Sequence, residues 1–318
     1  MTDPRHHHFV PQGYQKGFAN DRNQVTVVDR HTGETFTSHT RNVFQRRDWN
    51  TFEDEQGERF FEVEENLGRI IDGPSAVCFA HLREGELELR PEERFLLCHF
   101  MAMQLVRGVQ PREQLRRSAT EVNNLILSLN ATHLTPDQWM ERVGEVPTRR
   151  TLARMASNPE SLGIQPAEGF LIRTLMSHQH EVAEMLEMRT FTVVEFDDDC
   201  LFTGEFPFVQ INPSGETMGY GVATAERLYL PVSPRVAIVL SHPWSGWPEG
   251  SINGNAGLAK RLNWAMYSHP NNRQILHHPD TGQFPMPTVF ELGKSLHWPW
   301  GPDPEASASA HFYSPGDD

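Results

Sequence analysis

Four short stretches of this chain carry side chains whose types and spacing could do chemistry. The first is His7-His8 with Gln12 and Tyr14. Imidazole works as a general base, a general acid or a metal ligand near neutral pH. Adjacent residues of an extended chain point to opposite sides, so at most one of the two histidines is expected to face a given site. The second is the acidic run Glu62, Glu64, Glu65, Asp72. On a helix, Glu65 and Asp72 share a face two turns apart. Carboxylates stacked this way hold Mg²⁺ or Mn²⁺ or act as an acid–base pair, and they equally form a solvated face. The third is Gln104 and Arg107 in the apolar run RFLLCHFMAMQLVRG. A guanidinium in such surroundings needs a carboxylate partner, with Glu65, Asp72 and Glu205 as candidates. The pair reads as a structural ion pair or as a clamp on a substrate phosphate. The fourth is Thr203-Gly204-Glu205-Phe206-Pro207, where Gly and Pro around one carboxylate predict a turn or bulge that aims Glu205.

The elements that must position these groups follow from periodicity. The histidine run leads straight into Phe9-Val10, with Tyr14 and Phe18 beyond, so it marks the start of ordered structure and not a purification handle. Residues 25–38 alternate apolar and polar around Thr32-Gly33 and predict a β-hairpin. Residues 58–188 carry helical spacing, with an interruption expected at Asp72-Gly73-Pro74. Pro91-Glu92-Glu93 opens a long buried helix, Gly108 and Pro111 are placed to break it, and a polar helix is expected over 112–131. Thr135 caps another helix, and 166–188 reads as one more. From residue 189 the chain turns β-rich, up to a closing helix near 254–268 that the Asn-Gly run around Asn255 is suited to cap. The order predicts an α+β fold in one domain, 1–300, with antiparallel strands after the helices and a flexible tail at 301–318. His277-His278 reads as loop surface or packing.

Charge and composition exclude several classes. The formal net charge is -14, which argues against a basic face for extended nucleic acid or anionic membrane. Three separated cysteines, with no CxxC pair, indicate neither a disulfide framework nor a thiolate zinc site, and a reducing cytoplasm is the expected location. No stretch has the length of apolar sequence that spans a bilayer, and no apolar secretion segment is expected. Dinucleotide and P-loop glycine motifs, the nucleophile elbow and HExxH are all missing from the sequence.

HHFVPQGYQKGFA, residues 7–19, resembles the opening signature of the bacterial family called domain of unknown function 4238, whose members begin with a His-His-Tyr-Val-Pro-Gln-Phe-Tyr pattern. The likeness extends in order through Glu65 and Asp72, Arg107 with a proline soon after, Glu205, and Pro231-Val232-Ser233-Pro234. Gly204-Glu205-Phe206 stands where the family tends to have Ser-Asp-Asn, and Asp72 stands for a commoner Glu. The family carries no settled activity. The resemblance implies that polar residues from four segments share one pocket: His7, His8 and Arg107 as catalytic groups, Gln12, Tyr14 and Gln104 against substrate, and Glu65, Asp72 and Glu205 on a divalent metal (Mg, Mn or Zn). That set is expected to make a metal-dependent hydrolase, a nuclease or phosphoesterase, acting on a small phosphorylated or nucleotide-like ligand. The alternative is a non-catalytic binding or sensor module in a bacterial stress or defence setting, with the polar set as a buried network. An iron oxygenase is a third reading, without a suitable HxD pair and distant His to support it.

Overall fold

The computed structural model describes residues 6–47, 49, 52–53, 59–60, 66–211 and 221–281. Strand β1 (His6–His8) pairs antiparallel with β4 (Gln45–Arg47), with His7 opposite Arg46. A one-turn helix, α1 (Gln12–Gln15), then carries Tyr14 into the core, and Phe18 is buried just after it. The expected hairpin forms from β2 (Gln24–Asp29) and β3 (Thr35–His39). Its turn holds Gly33 at φ +72°, a left-handed conformation that glycine adopts without steric cost. The hairpin extends into a four-stranded sheet of order β3-β2-β13-β8, with β8 (Thr203–Gly204) and β13 (Gln274–His277) supplied from far along the chain. His277 is therefore a buried strand residue.

Short strands β5 (Phe52–Glu53) and β6 (Arg59–Phe60) precede the helices. No break occurs at Asp72-Gly73-Pro74. A π-helical segment, Gly68–Asp72, runs straight into α2 (Gly73–Arg83). Pro74 has no N–H with which to bond back to Ile70, so the ladder shifts register, and the Gly73 N–H reaches the Gly68 carbonyl five residues back. A Cβ at position 73 would lie 2.9 Å from that oxygen, which is why a glycine stands there.

Helix α3 (Pro91–Arg107) is the buried one. The Glu93 carboxylate accepts from the Arg90 backbone N–H at 3.0 Å and from the Arg90 side chain at 2.6 Å, and the Arg90 bond pulls its pKa down to about 2. Helix α4 (Val109–His133) starts directly after Gly108, because Pro111 falls in the first turn, where no N–H is needed. Next come α5 (Pro136–Val143), capped by Thr135 as expected, and α6 (Arg149–Ser157). The run expected as one helix is two, α7 (Glu168–Ser177) and α8 (Gln179–Glu187). At the break, the His178 ring nitrogen takes the Thr174 carbonyl at 2.7 Å, so the His178 N–H turns to Leu175 instead.

The second sheet has order β12-β7-β11-β10-β9, from β7 (Thr190–Glu195), β9 (Val209–Ile211), β10 (Arg227–Pro231), β11 (Val236–Ser241) and β12 (Gly250–Asn253). It is antiparallel except at β12, which runs parallel to β7. Helix α9 (Ala256–Ser268) closes the fold, capped by the Asn255 side chain accepting from the Leu258 N–H at 2.9 Å. The main core joins the N-terminal aromatics to the long helix and one sheet face, for example Tyr14 and Phe79 with Phe100. A second core lies under α9. The α+β architecture is as expected from the sequence. The acids from 62 to 65, Glu65 among them, and the tail from 301 lie outside the described residues.

Candidate functional site

The end of α3 brings three of the four sequence stretches together. The Arg107 side chain is 1% exposed, and its Nη1 donates to Asp72 Oδ2 at 3.0 Å. Asp72 is presented by the last residue of the π-helical segment, so the register shift at Pro74 sets which way its carboxylate points. Gln104, three residues back on α3 and 2% exposed, turns its amide oxygen to Arg107 and accepts from Nη2 at 2.6 Å and Nε at 3.1 Å. Of the five guanidinium N–H groups, one is bound to Asp72 and two to Gln104, which leaves two without a partner among the described residues. The backbone end of the same residue is also held, because the Trp49 indole N–H donates to the Arg107 carbonyl at 3.0 Å.

His8 completes the cluster. Burial lowers its pKa, and the Arg107 charge acts in the same direction; hydrogen bonds with the backbone of Thr40 and Arg41, and the Asp72 charge, act the other way. Two buried atoms here have no hydrogen-bond partner among the described residues: His8 Nε2 and Asp72 Oδ1. Each forfeits water without a replacement. Nε2 is a free position on an imidazole kept neutral at pH 7, and Oδ1 is a free lone-pair site on a carboxylate whose other oxygen is fixed.

The remaining candidates lie elsewhere. His7 is buried on the opposite side of β1, the alternation expected of neighbouring strand residues. Gln12 donates to Thr40 Oγ1 at 3.1 Å. The Tyr14 hydroxyl sits in the core, donating to the Pro231 carbonyl at 2.6 Å and lying 2.8 Å from Thr203 Oγ1, and burial pushes its pKa up. Glu205 follows edge strand β8; its Oε1 accepts from the Arg273 N–H at 2.6 Å, so Asp72 and Glu205 sit with different arginines. Gly204 is a glycine because a Cβ there would fall 2.4 Å from the Asn272 amide oxygen, which accepts from the Phe206 N–H at 2.6 Å. Among the described residues, no group of three or more His, Cys, Asp or Glu side chains gathers as metal ligands would.

Trp49 and Arg112 escaped the sequence reading. Arg112 donates to the Trp49 carbonyl and lies 3.8 Å from its ring centroid, so the two brace the Arg107 carbonyl from behind. The signal was a single tryptophan in an otherwise polar stretch, which must bury its ring somewhere.

Fold and cluster together describe an α+β protein with a His/Asp/Arg/Gln cluster built on a π-helical turn. The chain belongs to the family described as Protein of unknown function (DUF4238), whose model matches residues 6–281. No curated protein and no solved structure matches it.

Proposed function

We propose that the protein is a hydrolase acting on a small phosphorylated compound at the cluster of His8, Asp72, Arg107 and Gln104. The observation that carries this reading is the pair of buried, unpartnered atoms, His8 Nε2 and Asp72 Oδ1, beside a sealed guanidinium. Unpartnered oxygens also occur away from the cluster, at Gln15 Oε1 and Asn263 Oδ1; what sets this pair apart is that a basic nitrogen and a carboxylate oxygen share the surroundings of a buried guanidinium, as general-base chemistry needs. In this reading His8, neutral at pH 7 because burial holds its pKa down, takes a proton from the attacking water at Nε2. Arg107, oriented by Gln104 and Asp72, puts its two remaining N–H groups on phosphoryl oxygens in a low-dielectric setting; as the water oxygen bonds to phosphorus, the P–O bond to the leaving group breaks, and the leaving oxygen takes the proton from His8.

A divalent ion such as Mg²⁺, Mn²⁺ or Zn²⁺ suits the donor chemistry of Asp72 Oδ1, with Glu65 as the proposed further ligand, which leaves His8 Nε2 as the base; Glu205 belongs to other partners. Such an ion would supply charge stabilisation on the phosphoryl group. The test is elemental mass spectrometry on untagged protein, with a phosphomonoesterase and phosphodiesterase screen, for wild type, His8→Ala and Asp72→Asn. Activity in wild type and its loss in both variants is the expected result. Activity retained in both variants would remove the proposal.

The rival reading, a binding or sensor module with a purely structural network, is favoured by the two hydrogen bonds between buried side chains that the Gln104 amide oxygen accepts from Arg107 Nη2 and Nε. It expects no turnover in wild type and a large stability loss on substituting His8.

A further inference from the structure

A separate cavity of about 160 Å³ lies next to this cluster. Phe9, which follows His8, forms one wall, and Gln110, three residues past Arg107, forms another. Val109, Arg46 on β4, Glu205 and Phe206 after β8, and Asn271 and Arg273 just before β13 complete it. At roughly 30 Å³ per water molecule, this is space for about five waters or one ring system, too little for a whole nucleotide.

The charges on the wall nearly cancel. The Arg273 guanidinium is tied to Asp29 at 3.1 Å. That leaves Arg46, whose guanidinium lies 5.1 Å from the Trp49 ring centroid, against the Glu205 carboxylate. A bare divalent cation would meet two guanidiniums here. Inorganic phosphate would meet the one carboxylate. A hydrocarbon would leave the desolvated Glu205 with backbone donors alone, those of Arg273 and Gln274, and burial already pushes that carboxyl's pKa up. A neutral, flat ring with N–H groups on its edge suits all of them. Glu205 accepts from the edge, Arg46 and the Gln110 amide donate to ring acceptors, and Phe9 and Phe206 offer apolar faces. Phe206 is already stacked on His269, centroids 4.7 Å apart and planes 10° from parallel, so its face is set before any ligand arrives.

We infer that this cavity is a nucleobase subsite, and that one nucleotide spans it and the His8–Arg107 cluster. The nucleotide part rests on the phosphoryl reading of that cluster; the base subsite stands without it.

The test is calorimetric titration of the full chain with the common nucleosides, their 5′-monophosphates and inorganic phosphate. The proteins compared are wild type, Glu205→Gln, Arg46→Ala and His8→Ala. Glu205→Gln keeps an oxygen for the Arg273 N–H, and Arg46 is exposed, so the second variant reports even where the first fails to fold. The expected result is that at least one nucleoside binds wild type and weakens about tenfold or more in Glu205→Gln and in Arg46→Ala. Its monophosphate should bind tighter than the nucleoside, with the advantage lost in His8→Ala. Nucleoside binding without a monophosphate advantage supports the subsite and sinks the phosphoryl reading alone. No nucleoside binding, binding indifferent to both wall variants, or phosphate binding that needs Arg46 while nucleosides do not bind would overturn the subsite.

Discussion

Arg107 and Arg189 are both nearly sealed from solvent, at 1% and 3% exposure, and they are held in opposite ways. Arg189 donates to three backbone carbonyls, those of Val222, Ala225 and Glu226, and ties the loop before β10 to the end of α8. Burial lowers its pKa to about 10. Arg107 is held by side chains, Asp72 and Gln104, and the groups around it are left partly unsatisfied. Each arginine has a histidine beside it, His242 and His8, and burial together with the neighbouring guanidinium lowers both imidazole pKa values. Each guanidinium gives three of its five N–H groups to these partners, so the difference lies in the partners and in what stands beside them. Arg189 is fixed on backbone carbonyls, as a staple is. Arg107 is held by side chains, and beside it an Asp72 oxygen and a His8 nitrogen have no hydrogen-bond partner among the described residues.

The largest expected effect tests whether Arg107 is stranded without its carboxylate. Asp72→Ala should cost about 3–5 kcal/mol in denaturant unfolding, because a buried charge loses its partner. Combining Asp72→Leu with Arg107→Met should restore most of that stability while ligand binding stays lost. If the double variant remains as unstable as the single one, Arg107 is a staple like Arg189 and the contrast collapses.

Acid should come next. A histidine whose folded pKa lies below its unfolded value of about 6.5 binds its proton more readily in the unfolded chain, so stability falls as pH drops through that window. His8, His99, His242, His269 and His277 all shift this way, and burial takes His269 down to about 4. His269 alone should remove on the order of 3 kcal/mol between about pH 6.5 and 4. Glu205, whose folded pKa is raised, works in the opposite sense and stabilises slightly as pH falls toward its unfolded value. Urea midpoints at pH 7 and pH 5 measure the balance, and an unchanged midpoint would remove the neutral-imidazole argument for His8 as well.

A smaller effect is expected at the staple. Arg189→Met should cost about 1–3 kcal/mol through unsatisfied carbonyls and leave any ligand affinity at the Arg107 cluster untouched. A change in that affinity would mean the two regions are coupled. The smallest stability change is expected at His8→Phe, about 1 kcal/mol, since it removes the unpartnered Nε2 together with the ring's hydrogen bonds to the backbone of Thr40 and Arg41. Loss of activity at nearly constant melting temperature would separate function from folding at this position; a collapse of the fold would assign His8 to the network.

Much of this was legible from the chain. The hairpin, the capped starts at Pro91 and Thr135, and the buried character of α3 are local signals, carried by alternation, caps and helical spacing. Arg107 announced its need for a carboxylate by lying in an apolar run. Three carboxylates were equally eligible by type, and nothing local distinguishes them. Asp72 has the role because a proline two residues later shifts the helix register and turns that carboxylate toward α3. The same event hid the continuity of the helix, since Asp-Gly-Pro reads as a stop when only the ordinary i to i−4 ladder is considered.

By itself, then, the sequence determined the order and period of the elements, the α+β class, and the presence of a histidine, a carboxylate and a buried arginine in need of one another. Tertiary structure decided the pairings: Asp72 rather than Glu205 on Arg107, Glu205 with the Arg273 backbone beside a cavity of its own, β12 parallel to β7, and β13 filling the gap between hairpin and edge strand. The reason is physical. Propensity and capping act over a few residues, while a strand partner or an ion pair is chosen by whatever the packed core brings within about 3 Å, and that choice is written in no single stretch of chain.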